Sequence, residues 1–392
     1  MKCQFLEMKY PWLSPHIDAR HGNSTEETLL INLVYGTRIL CDDDSWEKLG
    51  KVAKGEADLD DPWLKRAEAA FLLQSETPRP WPNFVTRFEK ETRKFLEKQT
   101  GLKQEPATNR VQLLKRLDAV EVEYHRTSMP TPYVGPEENV GPLMLKPSRM
   151  VDFMFDHTRA FLEQDLEDES RDLTFDLVEQ FFDRPALKLR YEQQFCIPRT
   201  TQLRAEMILE RSDPGARILV MGDDDLVALA LVEFSDDVQV DVLELDTDLV
   251  AFLKEKGRGR FTVLEHDLKT GMPDAMKACY DAVTTDPPYA DDGMRFFLEC
   301  AKASLKNHEK SRLYLTTFPG LLESPEKLWA DLDELNFEIL KTHDHFSRYI
   351  YNNTYRVQHL AALKYLGAPL HPTTELLGFP FLYAHFFECQ PH

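Results

Sequence analysis

The chain has few cysteines and no close pair among them. Its six (Cys3, Cys41, Cys196, Cys279, Cys300 and Cys389) are scattered singly, with no C-x-x-C spacing. That excludes a zinc ribbon and fits reduced thiols better than a disulfide scaffold. Also missing is any run near the roughly 20 apolar residues that a membrane helix needs. The first residues, MKCQFLEMKYPWLSPH, carry neither a long apolar stretch nor a small-residue cleavage site. A soluble, cytoplasmic protein without membrane contact is expected. Positive charge is scarce too: 47 Lys and Arg against 67 Asp and Glu leave a net charge of −20. A phosphate polyanion would be repelled by that field, so nucleic acid is a poor partner and a cationic ligand a good one.

What is present is an ordinary globular composition, 42% hydrophobic and 29% charged over 392 residues, enough for two or three domains. Pro and Gly cluster over 127–147 (TSMPTPYVGPEENVGPLMLKP), which reads as a linker between a domain at 1–126 and one at 148–392. In the first, LLINLVYGTRILC forms two strands around Tyr35-Gly36, and Asp42-Asp43-Asp44-Ser45 caps a helix starting near Trp46. Helices follow around 63–74 and 85–99. Such a module is winged-helix-like and α+β. It would recognise a peptide, or pack against the main domain or a second subunit in a homodimer.

The later domain opens with helical, acidic sequence over 150–190, and from Ala216 strands alternate with helices. Strands are expected at Ala216-RILVM, Val238-QVDVLELD, Phe261-TVLEHD, Tyr280-DAVTTD and Arg312-LYLTTF, with helices between them. Phe337-EILKTHDHF and Val357-QHLAALKYL are expected to form a closing hairpin, and the aromatic stretch from Phe379 a final buried strand or dimer contact. Five βα units call for a parallel sheet covered on both faces. With a C-terminal antiparallel hairpin, this is α/β: the Rossmann-like class I methyltransferase sheet of S-adenosylmethionine-dependent transferases.

Ligands of open parallel sheets sit at the carboxyl ends of the strands. Here the first four ends are all acidic: Gly222-Asp223-Asp224-Asp225, Glu244-Leu245-Asp246, His266-Asp267 and Asp286-Pro287-Pro288-Tyr289. Glu244 has the position to accept both ribose hydroxyls of a nucleoside, with Asp246 the second choice. Asp267 has the position to accept an adenine amine. A dinucleotide pyrophosphate would need several glycines in the first loop, and it offers only Gly222 before three aspartates. An ordinary helix N-cap would account for one of the three. Three together repel by about 1 kcal/mol or more per interaction when partly shielded from water, a cost that a bound cation offsets. Such a cleft suits a sulfonium and an amine together. No metal is expected: His343, His345 and His359 form no ligand set and read as hydrogen-bonded surface or interface residues.

The stretch Tyr191-EQQFCIPRTTQLRAEMIL, with Val220-Met221-Gly222-Asp223-Asp224-Asp225-Leu226, Val242-LELD, Asp286-Pro287-Pro288 and His345-Phe346-SRYIYNN, resembles the branched-chain polyamine synthases over about 188–390. These are aminopropyltransferases that use decarboxylated S-adenosylmethionine, release methylthioadenosine and act on an internal amine of spermidine. The resemblance implies that Asp224, the middle aspartate, is the catalytic base. Asp286 would fix the second nitrogen hydrogen, Asp223 or Asp225 would bind the cationic end of donor or polyamine, and Glu192 and Gln193 would lie where the family covers the donor. Tyr349 and Tyr351 would shape the acceptor pocket.

The chain departs from the family in three places. A paired-cysteine element is absent, Pro-Glu-Thr-Thr is Pro198-Arg199-Thr200-Thr201, and Asp-Pro-Pro is followed by Tyr289. In amino-methyltransferases Asp-Pro-Pro-Tyr grips a substrate nitrogen, with the acid and a proline carbonyl (Pro287 here) accepting hydrogens and the ring stacking. The alternatives are therefore an S-adenosylmethionine-dependent methyltransferase acting on an amine, modification of a ribosomal peptide held by the N-terminal module, and a non-catalytic nucleoside binder.

Overall fold

The structure is a computed structural model and describes residues 17–73, 89–101, 103, 114–115, 117–119, 147–163, 175–365 and 377–392, apart from a few single positions within these spans. The linker expected at 127–147 therefore falls outside the described residues except at Pro147. Two compact units emerge. One gathers the described residues of 1–133, 150–172 and 350–381; the other gathers those of 134–149, 173–349 and 382–392.

In the first unit β1 (Ile17–His21), β2 (Thr28–Asn32) and β3 (Arg38–Cys41) pair antiparallel in sequence order. The hairpin turns at Tyr35-Gly36 as expected, because the Asn32 side chain accepts the amides of Val34 (2.9 Å) and Tyr35 (3.2 Å). Asp42 then caps α1 (Asp43–Lys54) by accepting from the Ser45 amide at 2.9 Å. Helices α2 (Pro62–Ala69), α3 (Glu89–Thr100) and α4 (Pro147–Glu163) follow. Ile17, Leu30, Ile39, Trp46, Leu49 and Leu64 share one apolar core. The three-stranded sheet precedes its helices, and the likeness to a winged helix goes no further than that composition of elements.

The second unit holds α5 (Phe175–Asp183), α6 (Pro198–Glu210) and a seven-stranded sheet. Along the chain come β4 (Arg217–Met221), α7 (Val227–Phe234), β5 (Gln239–Glu244), α8 (Thr247–Gly257), β6 (Thr262–Glu265), β7 (Ala282–Thr285), α9 (Asp291–Ser304), β8 (Arg312–Thr317) and α10 (Pro325–Glu334). Strand order is β6-β5-β4-β7-β8-β10-β9, where β9 is Phe337–Ile350 and β10 is Phe381–Pro391. The five strands β4 to β8 are parallel, and β10 runs antiparallel to β8. This is the Rossmann-like α/β sheet expected from the alternating pattern. Order reverses between β4 and β7, and a crevice opens where the chain turns in opposite directions.

One expected element is corrected. The segment from Val357, expected as a strand, lies in the helix α11 (Asn353–Tyr365), and β10 supplies the antiparallel strand instead. Tyr355, Arg356, His359 and Leu360 are buried while Val357 is exposed, the i, i+4 pattern of a helix. The buried Arg356 donates to the carbonyls of Leu377 and Phe379, each at 2.9 Å.

Register explains why the acids line up. Met221 pairs with Leu243 on one side and Thr285 on the other, so Gly222, Glu244 and Asp286 leave the sheet at one level. The Asp-Pro-Pro loop packs on the first turn of α9 because Gly293 has no side chain: a Cβ there would sit 2.9 Å from Pro288 Cβ. Gly293→Ala is expected to lower stability. A forced fit in a packed site costs about 1–3 kcal/mol, more than the ~1 kcal/mol that alanine gains as a helix former. A lower urea midpoint at unchanged slope is the expected result.

Candidate active site

After β4 the chain turns through Gly222 at φ +70°, a conformation natural to glycine. Asp223 then points back into the following helix: its carboxylate accepts the amides of Val227 (2.6 Å) and Ala228 (3.2 Å). It is the helix cap. Asp225 is buried and accepts from Arg204 Nη1 (2.7 Å) and the Cys196 amide (2.8 Å). Both residues, expected to bind the cationic end of a ligand, are taken up inside the protein. Asp224 between them is different. Arg184 Nη1 holds its carbonyl at 2.9 Å, yet its carboxylate makes no hydrogen bond among the described residues. Burial, then the charges of Asp225 and Asp286, push its pKa well above the ordinary carboxylate value, against a smaller opposing effect of Arg184.

At the end of β5, Glu244 is buried and accepts three amides at 2.8 Å, from Asp223, Leu245 and Asp246. Burial raises its pKa against those hydrogen bonds. Three of about four carboxylate lone-pair sites are thus filled, which fixes its orientation. Asp246 caps α8 through the Asp248 amide (3.0 Å), pairs with Lys188 Nζ, and accepts Gln193 Nε2 (3.1 Å). Burial works against its charge, but the Lys188 and Gln193 hydrogen bonds prevail and hold its pKa low. Gln193, expected to cover the donor, is thereby an anchor for Asp246. Asp267 follows β6 and accepts the Lys269 amide (3.0 Å). It joins no hydrogen bond or ion pair to the other acids among the described residues.

Asp286 ends β7. Its Oδ2 accepts from the Tyr349 hydroxyl and lies 3.4 Å from Arg204 Nη2. Burial pushes its pKa up to about 6 despite the nearby Arg204 charge. Pro287 is buried behind it. Tyr289 is half-buried, and its amide donates to Glu192 Oε2 at 3.0 Å. Glu192 adopts φ +56°, a conformation that costs a non-glycine residue about 1–3 kcal/mol and here aims its carboxylate at that loop. Tyr351 does not line this site: its hydroxyl bonds His359 Nδ1 at 2.6 Å within the first unit.

The residues not foreseen are the cations. Arg204, on α6, is fully buried and donates to Asp225, Asp286, the Tyr349 hydroxyl (2.6 Å) and Ser347 Oγ (2.9 Å). Arg184 stacks on Phe195, 3.3 Å from the ring centre, and Lys188 bridges Asp246 and Asp248. Burial lowers the Arg184 pKa to about 10. The acids are therefore offset in part by the protein itself, where the expectation was that a bound cation offsets them. A charge balance along 184–204 would have found these residues, because buried carboxylates need partners close by. Even so, six carboxylates (Asp223, Asp224, Asp225, Glu244, Asp246 and Asp286) meet three cations, and the excess is negative. Among the described residues no His, Cys, Asp and Glu group could hold a metal.

Residues 172–373, just over half the chain, match the family described as "Branched-chain polyamine synthase A C-terminal domain". The chain belongs to this branched-chain polyamine synthase family. Two relatives are each called N(4)-bis(aminopropyl)spermidine synthase. That of Methanocaldococcus jannaschii is 27% identical over 203 residues, 48% of this chain and 58% of the relative. That of Thermococcus kodakarensis is 31% identical over 140 residues, 33% and 40% respectively. The matched region thus spans only about half the length of these relatives. Among solved structures, a branched-chain polyamine synthase C9 mutein from Thermus thermophilus, in complex with N4-aminopropylspermidine and 5′-methylthioadenosine, is 18% identical. It aligns with a TM-score of 0.48 over 77% of this chain and 92% of the other. The family match includes α6, the aspartate loop, Glu244, Asp286 and β9, and so contains the whole cluster of acids and cations.

Two outcomes follow. Arg204→Met removes the guanidinium hydrogen-bonded to the buried Asp225 and is expected to lower folding stability by about 3–5 kcal/mol, measured by urea denaturation. Asp286, raised to about 6 in the fold from an ordinary ~3.9, keeps a proton that the unfolded chain has released between those values. Its contribution to stability is present in full below about pH 4 and is lost as pH rises through 6. Asp286→Asn is expected to flatten that part of the stability profile, read as urea midpoints at pH 4.5 and 6.5.

Proposed function

We propose that this chain transfers a 3-aminopropyl group from decarboxylated S-adenosylmethionine to an amine nitrogen of a polyamine such as spermidine. The observation that carries the reading is Asp224: a half-buried carboxylate of raised proton affinity, free of hydrogen bonds among the described residues, within a cluster whose other acids are engaged. Family membership and the activity in the relatives' names support it.

A free alkyl ammonium has a pKa near 10, so a polyamine must lose a proton before it can attack. Asp224 takes that proton, and burial makes it a stronger base than an exposed aspartate. The amine lone pair then forms a bond to the aminopropyl carbon attached to sulfur. The carbon–sulfur bond breaks with its electron pair going to sulfur, which leaves neutral methylthioadenosine. Asp286 orients the nucleophile through a nitrogen hydrogen, and Glu244 holds the nucleoside ribose. The carbon is already activated by the sulfonium, so placement and deprotonation are the protein's part.

The negative excess of the cluster favours a donor without a carboxylate, and this separates aminopropyl transfer from methyl transfer through the Asp-Pro-Pro-Tyr loop. With decarboxylated S-adenosylmethionine and spermidine, methylthioadenosine release is expected, and Asp224→Asn should reduce kcat about 10²- to 10⁴-fold. Methyl transfer from S-adenosylmethionine, with no turnover of the decarboxylated donor, would refute the reading.

A further inference from the structure

Tyr349 sits where the acceptor pocket was expected, yet its side chain is buried and its hydroxyl is committed twice. It accepts from Arg204 Nη2 at 2.6 Å and donates to Asp286 Oδ2. The same guanidinium edge reaches Asp286 Oδ2 at 3.4 Å, and Ser347 Oγ receives both Nε (3.2 Å) and Nη2 (2.9 Å). Among the described residues no hydrogen bond reaches Asp286 Oδ1. A phenol so placed has no hydrogen left for a substrate. It has one direction in which its proton can point, because a permanently charged donor occupies its lone pair.

We propose that Tyr349 and Arg204 are positioning residues for Asp286: together they fix its Oδ2, hold the carboxylate in one orientation and leave Oδ1 as the atom that receives a nitrogen hydrogen of the acceptor amine. Three elements meet in this relay. Arg204 comes from α6 and Tyr349 from β9, tied by the Ile197 amide to the Arg348 carbonyl (2.9 Å) and the Arg348 amide to Thr200 Oγ1 (3.1 Å). The charged and titratable groups facing Asp286 are Arg204, Tyr349, Asp225 and Asp224, with Tyr289 from its own loop. Arg204 and Tyr349 favour the ionised carboxylate, whereas burial and the neighbouring aspartates oppose it. Removing the phenolic hydrogen bond therefore raises the proton affinity of Asp286 without touching the substrate.

The amine in this proposal rests on the aminopropyl-transfer reading, but the relay can be tested without it. The probe is the carbon-13 carboxyl signal of Asp286 in the substrate-free full chain, assigned by its disappearance in Asp286→Asn. Tyr349→Phe is expected to move the titration midpoint upward by about one pH unit. An unchanged or lowered midpoint overturns the proposal. If that variant does not fold, Arg204→Lys, which keeps the charge beside Asp225 but loses the fork, decides by the same criterion. In turnover with the decarboxylated donor, the acid limb of kcat/KM should move with the midpoint. A moved midpoint in a protein without aminopropyl turnover supports the relay and overturns the proposed function instead.

Discussion

The guanidinium of Arg204 is the point on which the acidic rim depends. Four or more carboxylates cannot be taken out of water side by side unless a cation goes with them, because the desolvation of each costs several kcal/mol and their mutual repulsion adds to it. Arg204 meets that requirement for Asp225 and partly for Asp286, and its forked donors reach Tyr349 and Ser347 as well. A lysine point charge would supply the same sign without the geometry. The start of α6 is held against the end of β9 by backbone and side-chain hydrogen bonds, so the charge is delivered by rigid elements.

With that cation in place the acids divide by task. Asp223 caps α7 and Asp246 caps α8, each using a carboxylate where the helix dipole favours one. Glu244 is held by three amides and keeps its orientation without a side-chain partner. Only Asp224 is left with high proton affinity and no hydrogen bond to its carboxylate among the described residues. The segment before α6 adds the remaining order, as Arg184 fixes the Asp224 carbonyl, Lys188 and Gln193 fix Asp246, and Glu192 fixes the Tyr289 amide. Three strand-end loops are thus tied to one stretch of chain.

Much of the sheet was legible because its cause is local. Short apolar runs of β-formers between amphipathic helices leave few alternatives to a parallel sheet, and the acids at strand ends can be counted from the pattern. The hairpin at Tyr35-Gly36 and the Asp42 cap depend on residues three or four apart and were equally readable. The segment from Val357 misled because a short apolar run fits either period, and its burial at helical spacing appears only once Tyr355, Arg356, His359 and Leu360 are seen to be inside. Nor could the separation at 126–148 foresee that the described residues of 150–172 and 350–381 cluster with the N-terminal unit. Contacts of high sequence separation leave no mark in local composition.

The amino-acid sequence alone determined the α/β class, the parallel order of its βα units and the acidity of the crevice, since each follows from periodicity and residue type over a few neighbours. Tertiary structure decided which of three consecutive aspartates is left without a hydrogen-bonding partner. That choice depends on the α7 amides that take up Asp223 and on the Arg204 guanidinium and Cys196 amide that take up Asp225, the latter groups twenty and more residues earlier that only the packed fold brings within hydrogen-bonding distance.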